Sequence, residues 1–206
     1  MYKFEIAGID NIDSVTKFHM TNFKNYYLTN LGENVVYLYY KYFIENSNNV
    51  LFVCKDNDTV IGIALFVYDF ESQISMFYRK YKWKIGSEIL KKTLLLNKVI
   101  IDGTFERLPI GNNKKRKQTE FLLPKLTLLS LAIDLKYRGK GIGTELLMFS
   151  ENNLLDNNID NSYYLSVLKS NVNGINFYKK MNFKMLGENN SLCYMLKDIY
   201  RRKDCE

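Results

Sequence analysis

Residues 131–144 constrain the fold of this 206-residue chain more than any other stretch. Leu131, Ala132 and Ile133 close an apolar run with strand character, and helical apolar spacing resumes at Ile142. Between them Gly139, Gly141 and Gly143 fall at alternate positions, with Arg138 and Lys140 interleaved. A buried strand that turns on glycines directly into a helix presents backbone N–H groups at the positive end of the helix dipole. That is a place for a phosphate or pyrophosphate, and glycine lets the anion approach without a Cβ in the way. Spacing then excludes two phosphate binders. The P-loop pattern Gly-x-x-x-x-Gly-Lys-Ser/Thr is not met, and the dinucleotide pattern Gly-x-Gly-x-x-Gly fails because the third glycine comes one position early.

What remains, Arg138-x-x-Gly141-x-Gly143, resembles motif A of the GCN5-related N-acetyltransferase (GNAT) superfamily, which cradles the pyrophosphate of acetyl-coenzyme A. A second segment follows in the right order. After a short strand at 163–168, Asn171, Gly174, Phe177, Tyr178, Lys180, Asn182 and Phe183 are similar to the superfamily's Asn-x-x-Ala-x-x-Leu-Tyr-Glu-Lys-x-Gly-Phe. Two of its departures bear on the backbone. Gly174 stands for the alanine, costing up to about 1 kcal/mol of helix propensity. Asn182 stands for the glycine and still suits a left-handed helix end. The resemblance implies an α+β fold: one domain over 1–206, a three-layer α-β-α arrangement around a splayed mixed sheet, with a helical insert at about 69–120.

Composition is that of an ordinary globule, 47% apolar and 25% charged. No run reaches the ~20 apolar residues that cross a bilayer, and the longest candidate, 121–133, is broken by Pro124, Lys125 and Thr127. The N-terminus lacks a signal-peptide apolar region. Cys54, Cys193 and Cys205 make neither a disulfide framework nor a metal cluster, so no metal and a reducing cytoplasm are expected. The formal charge of +7 is compatible with an anionic ligand. The one dense basic run, 114–117, reads as a solvated loop, and no nucleic-acid partner is expected. A homodimer is a permitted assembly.

Along the chain, 2–7 reads as a strand. A helix capped by Asp10 or Asp13 follows, with Val15, Phe18, Phe23 and Tyr26 on its apolar face and His19 on the same stripe. Leu31 and Gly32 break the chain before a helix bearing Val36, Tyr39, Tyr40 and Phe43. Strands 50–54 and 60–68 join through a polar turn. Phe70, Ile74, Phe77, Tyr78 and Tyr81 predict a helix with Arg79, Lys80, Lys82 and Lys84 interleaved, and 87–96 a second one. Packing over the sheet, or a lid on the acceptor side, is the preferred reading of this insert; a basic amphipathic surface for membranes ranks below it. Strand 126–133, a helix over 142–153, and strands 183–186 and 192–196 complete the chain.

Acetyl transfer to an amine requires a held thioester, a neutral amine, a stabilised oxyanion and a protonated leaving thiolate. By resemblance, Arg138, Gly139, Lys140, Gly141, Ile142, Gly143 and Thr144 hold the pyrophosphate. Leu131, Ala132 and Ile133 hold the pantetheine arm at a β-bulge, and an N–H there meets the oxyanion. Tyr178 protonates the thiolate; as a phenol of pKa ~10 it stays protonated at neutral pH. Asn171 caps a helix and adds a pantetheine contact. His19, the only histidine, is the candidate base, although a lone histidine on an apolar helical face more often lines a core or pocket. Asp134, Glu106, Glu120 or water are the weaker candidates, and Asp134 is better placed to order the turn. No cysteine falls in either motif, so the amine attacks directly. The stretch from His19 through Phe23, Leu28, Thr29 and Leu31 to Gly32 is also similar to a bacterial GNAT subgroup tied to surface-polysaccharide biosynthesis, which implies an amino-sugar acceptor. A small polyamine-like or antibiotic amine comes next, then a protein amine. The rival from another class is a non-catalytic acyl-CoA-binding module.

Overall fold

The computed structural model describes residues 2–24, 26–94 and 122–200. Seven strands form one sheet: β1 (Lys3–Ile6), β2 (Val50–Asp56), β3 (Thr59–Tyr68), β4 (Leu126–Ile133), β5 (Ser162–Leu168), β6 (Lys184–Glu188) and β7 (Leu192–Asp198). Their order is β1-β2-β3-β4-β5-β7-β6. All neighbours are antiparallel except β4 and β5, which run parallel, so the sheet is mixed as expected. β3 is buried along nearly its whole length, which explains its unbroken apolar run: both of its faces are covered.

Six helices lie among the described residues: α1 (Ile12–Asn22), α2 (Tyr27–Leu31), α3 (Glu33–Ile44), α4 (Phe70–Leu94), α5 (Ile142–Asp156) and α6 (Val172–Lys180). One core joins Val15 and Phe18 of α1 and Val36, Tyr40 and Phe43 of α3 to Leu51, Val53, Ile63 and Leu65 of the sheet. The alternate residues Phe52, Cys54, Ala64 and Phe66 face the other core, under Ile142, Leu146, Leu147 and Leu154 of α5 and next to Ile175 and Phe177 of α6. These are the three expected layers. A third cluster, Leu31, Val35, Phe77 and Ile85, joins α2, α3 and α4, so α4 adds an outer layer on α3.

Several expected boundaries move. α1 ends at Asn22, and Phe23, expected on its face, is its C-cap with φ −109° and ψ 44°. Tyr26 is extended and precedes the short α2, and Gly32 (φ +105°) supplies the break into α3. Neither Asp10 nor Asp13 caps α1: the turn is tied by Asn11, whose Oδ1 accepts the Gly8 N–H at 2.9 Å. α4 consists of two helical segments, as expected, but they meet at Tyr81 (φ −109°, ψ 16°), so the second starts ahead of Ser87. Residues 95–96, like the basic run 114–117, lie outside the described residues. Asn182 takes the left-handed conformation expected of it, φ 66°.

Candidate active site

The sheet opens at β4. This strand pairs with β3 along its length but meets β5 at Thr127 and Tyr164. Leu65 lies opposite Ser130 whereas Phe66 lies opposite Leu128, so Leu129 is an extra residue in a β-bulge. The bulge falls two residues before the 131–133 segment expected to carry it. The Asp134 N–H donates to the Ile61 carbonyl at 2.8 Å on the β3 side. By strand alternation Ala132 also turns its N–H to β3, while Leu131 and Ile133 turn theirs to the open side. Of the expected trio, then, Leu131 and Ile133 present backbone groups to the opening and Ala132 does not. The Ile133 carbonyl is taken by the Nε of Arg138 at 2.9 Å.

Beyond Ile133, Asp134 orders the turn: its Oδ1 accepts the Lys136 N–H at 2.9 Å. The Tyr137 hydroxyl donates to Oδ2 of Asp56 at 2.9 Å, which raises the phenol's pKa and anchors the loop to the β2–β3 hairpin. Gly139 and Gly141 follow with φ +77° and +83°, conformations that cost a non-glycine residue about 1–2 kcal/mol each. Gly141 is also the N-cap of α5, and its carbonyl accepts the N–H groups of Thr144 and Glu145. Among the described residues the N–H groups of Gly139, Lys140, Gly141, Ile142 and Gly143 have no acceptor. Five consecutive amides at a helix N-terminus, flanked by Arg138 and Lys140, make an anion cradle. The Thr144 N–H, expected in that cradle, is engaged internally. Gly143 brings α5 close to its neighbours: a Cβ there would lie 3.6 Å from Ile133 and 3.7 Å from Phe177.

α6 carries the second motif. Asn171 is its N-cap, with Oδ1 accepting the Gly174 N–H at 3.0 Å. Gly174 has a reason beyond propensity, because a Cβ on it would meet the Asn171 amide nitrogen at 2.6 Å. Tyr178 is half-buried, its ring 5.4 Å from Phe177 and 5.2 Å from Phe183. Desolvation pushes its phenol up to about 12, with no hydrogen bond among the described residues to offset it. Phe183 in turn packs on Tyr163 at 5.4 Å. The Tyr163 hydroxyl donates to Glu151 of α5 at 2.5 Å, and the same carboxylate oxygen lies 2.6 Å from Lys197 of β7. This buried cluster and the Tyr137–Asp56 bond went unread in the sequence, because they join residues that only strand pairing and helix packing bring together.

His19 is 6% exposed. Its ring stacks on Phe23 at 4.6 Å, and both nitrogens are occupied: Nδ1 lies 2.9 Å from the Tyr40 hydroxyl and Nε2 3.1 Å from the Thr29 hydroxyl. The single Thr29 proton goes to the Phe23 carbonyl at 2.6 Å. Nε2 must therefore donate, and Nδ1 must accept from Tyr40. Burial lowers the imidazole pKa to about 4. The sequence placed His19 as candidate base; here its Nδ1 lone pair is engaged in a hydrogen-bonded chain between α1, α2 and α3. Cys54 and Cys193 are buried, and burial raises the Cys54 thiol to about 11. Cys205, Glu106 and Glu120 lie outside the described residues.

Residues 118–183, which span β4, the glycine loop, α5, β5 and α6, match the model of the acetyltransferase (GNAT) family. Among curated proteins none matches this chain by sequence. Solved structures with the same fold include the PaiA N-acetyltransferase of Thermoplasma acidophilum in complex with coenzyme A, at 16% identity over 96% of this chain and 99% of that one, TM-score 0.59. The ribosomal-protein-S18-alanine N-acetyltransferase of Escherichia coli is 12% identical over 100% of this chain and 99% of its own, TM-score 0.58. Arabidopsis thaliana NAA60 in complex with acetyl-CoA is 15% identical over 97% and 99%, TM-score 0.57. At these identities the likeness shows the GNAT fold, over the full length of each.

Proposed function

We propose that this chain transfers the acetyl group of acetyl-coenzyme A to a primary amine by direct attack. The observation that carries the reading is the parting of β4 from β5 next to the five unpaired amides of residues 139–143, one opening with a pyrophosphate cradle at its mouth. The coenzyme A and acetyl-CoA complexes of two proteins with this fold point the same way. The cradle takes the pyrophosphate, and the open edge at Leu131 and Ile133 takes the pantetheine arm. The Leu131 N–H is the donor for the oxyanion, a contribution of about 3 kcal/mol. Arg138 acts twice, as a cation beside the phosphates and as a clamp on the Ile133 carbonyl.

The neutral amine adds to the thioester carbonyl, a C–N bond forms, the C–S bond breaks, and the amine loses a proton to solvent. Tyr178 donates a hydrogen bond to the sulfur as charge collects there. Against a thiol of pKa ~8.5, complete transfer from a phenol near 12 is uphill by about 5 kcal/mol, but the same burial also raises the thiol and narrows that gap. His19 serves as a positioning residue: its filled hydrogen bonds hold the α1–α2 segment on the acceptor side, and water collects the amine proton. The acceptor we infer is an amino sugar, on the likeness of residues 19–32 to polysaccharide-linked chains. Acetyl-CoA turnover, read as free thiol over amino sugars, nucleotide-linked amino sugars, polyamines and peptide N-termini, tests the proposal. Binding of acetyl-CoA without turnover on any amine, with no effect of Tyr178→Phe, sinks it in favour of an acyl-CoA-binding module. Turnover confined to peptides or polyamines removes the amino sugar alone.

A further inference from the structure

We infer that the outer face of α4 docks on an anionic lipid surface. The inner face is accounted for: Gln73, Phe77 and Ile85 are buried, the last two against Leu31 and Val35 of α2 and α3. The outer face combines large apolar side chains with an excess of cations. Met76, Trp83 and Leu90 recur at seven-residue intervals, and they stand 38%, 82% and 63% exposed. Around them Arg79, Lys80, Lys82, Lys84 and Lys91 are all exposed; the helix carries two carboxylates, Glu71 in its first turn and Glu88, the latter 3.1 Å from Lys91. The Lys82 ammonium lies 5.4 Å from the Trp83 ring, and Lys80 lies 5.3 Å from the Tyr81 ring, so cations border the aromatic surface directly.

Charge and shape together select the occupant. Exposed Trp and Leu bordered by Lys and Arg is the composition of a helix that lies in a membrane interface, the ring at headgroup depth and the cations on the phosphates. Each such cation strengthens partition to an anionic leaflet by about fivefold. A stable protein partner needs about 800 Å² of complementary surface, more than three apolar side chains on one convex helix supply. α4 also starts away from the chemistry: Asp69 bonds to Lys125 at 2.9 Å, at the end of β4 opposite the glycine loop. Docking there leaves the cradle's own elements uninvolved, and the inference does not depend on the acetyl-transfer reading.

Trp83 is the only tryptophan in the chain, so its emission reports on this face alone. With the full chain and vesicles of phosphatidylcholine containing phosphatidylserine, the emission shifts to the blue and the protein co-sediments. Pure phosphatidylcholine or high salt abolishes both effects. Lys80→Glu with Lys82→Glu weakens sedimentation about thirtyfold or more, and Trp83→Ser weakens it too, with circular dichroism unchanged. No acetyl donor is present, so the result is separate from any failure of turnover. The inference is overturned if neither vesicle binds, if binding ignores salt or these variants, or if an acidic polypeptide shifts Trp83 as vesicles do. A blue shift that tracks protein concentration without lipid assigns the face to a second copy and overturns it equally.

Discussion

His19 shows how a residue type that suggests chemistry is set to another use by its neighbours. With Nδ1 accepting from Tyr40 and Nε2 donating to Thr29, protonation would break the Tyr40 bond and place a charge in the core. The folded pKa near 4 lies below the unfolded value of about 6.5. A depressed histidine contributes no pH dependence above pH ~6.5, where both states are neutral. Between that value and about 4 the unfolded chain binds a proton that the folded one refuses, so stability falls as pH falls. Urea unfolding is expected to show a loss of about 2 kcal/mol from pH 7.5 to pH 5, absent in His19→Gln. At Tyr178 the expectation concerns rate. Tyr178→Phe keeps the ring packed on Phe183 and lowers kcat about a hundredfold or more, with acetyl-CoA affinity little changed. Unchanged kcat would leave Tyr178 a packing residue.

At the scale of elements, two junctions carry the family's pattern, and each rests on a geometric detail. Gly141, left-handed and N-capping α5, presents its carbonyl to Thr144 and Glu145 and so leaves the preceding amides free for an anion. Gly141→Ala should cost about 1–2 kcal/mol of stability and also weaken acetyl-CoA binding, measured by calorimetry. At α6, Asn171 and Gly174 form a unit. An alanine at 174 gains about 1 kcal/mol of helix propensity but displaces the Asn171 amide, whose cap is worth a similar amount. Gly174→Ala alone is therefore close to neutral. Asn171→Ala costs about 1 kcal/mol in the native background and little beside Gly174→Ala, and a double-mutant cycle reads that coupling. In α4 the pattern marked two segments, and they part at the non-helical Tyr81; what it misplaced is the start of the second, expected at Ser87.

For the whole molecule, Glu151, Tyr163 and Lys197 tie α5, β5 and β7 into one block on the side of the opening that carries Tyr178. Lys197→Met leaves the buried Glu151 carboxylate without its cation, held by the Tyr163 hydroxyl alone, at an expected cost of about 3 kcal/mol in thermal or urea unfolding. Glu151→Leu combined with it recovers part of that loss. The sequence by itself determined the strand–glycine–helix junction, the Asn171 cap and the left-handed Asn182, because each follows from local backbone rules; the three layers followed from the resemblance its motifs carry. Only the tertiary structure decided that β4 leaves β5 after Thr127, that Leu129 bulges, that the lone histidine has no free nitrogen, and that α4 turns Trp83 outward. Those outcomes depend on strand register and on contacts across many tens of residues, about which spacing along the chain carries no information. The glycine loop is thus legible as a phosphate cradle from its residues alone, but the opening it serves exists only where two strands part.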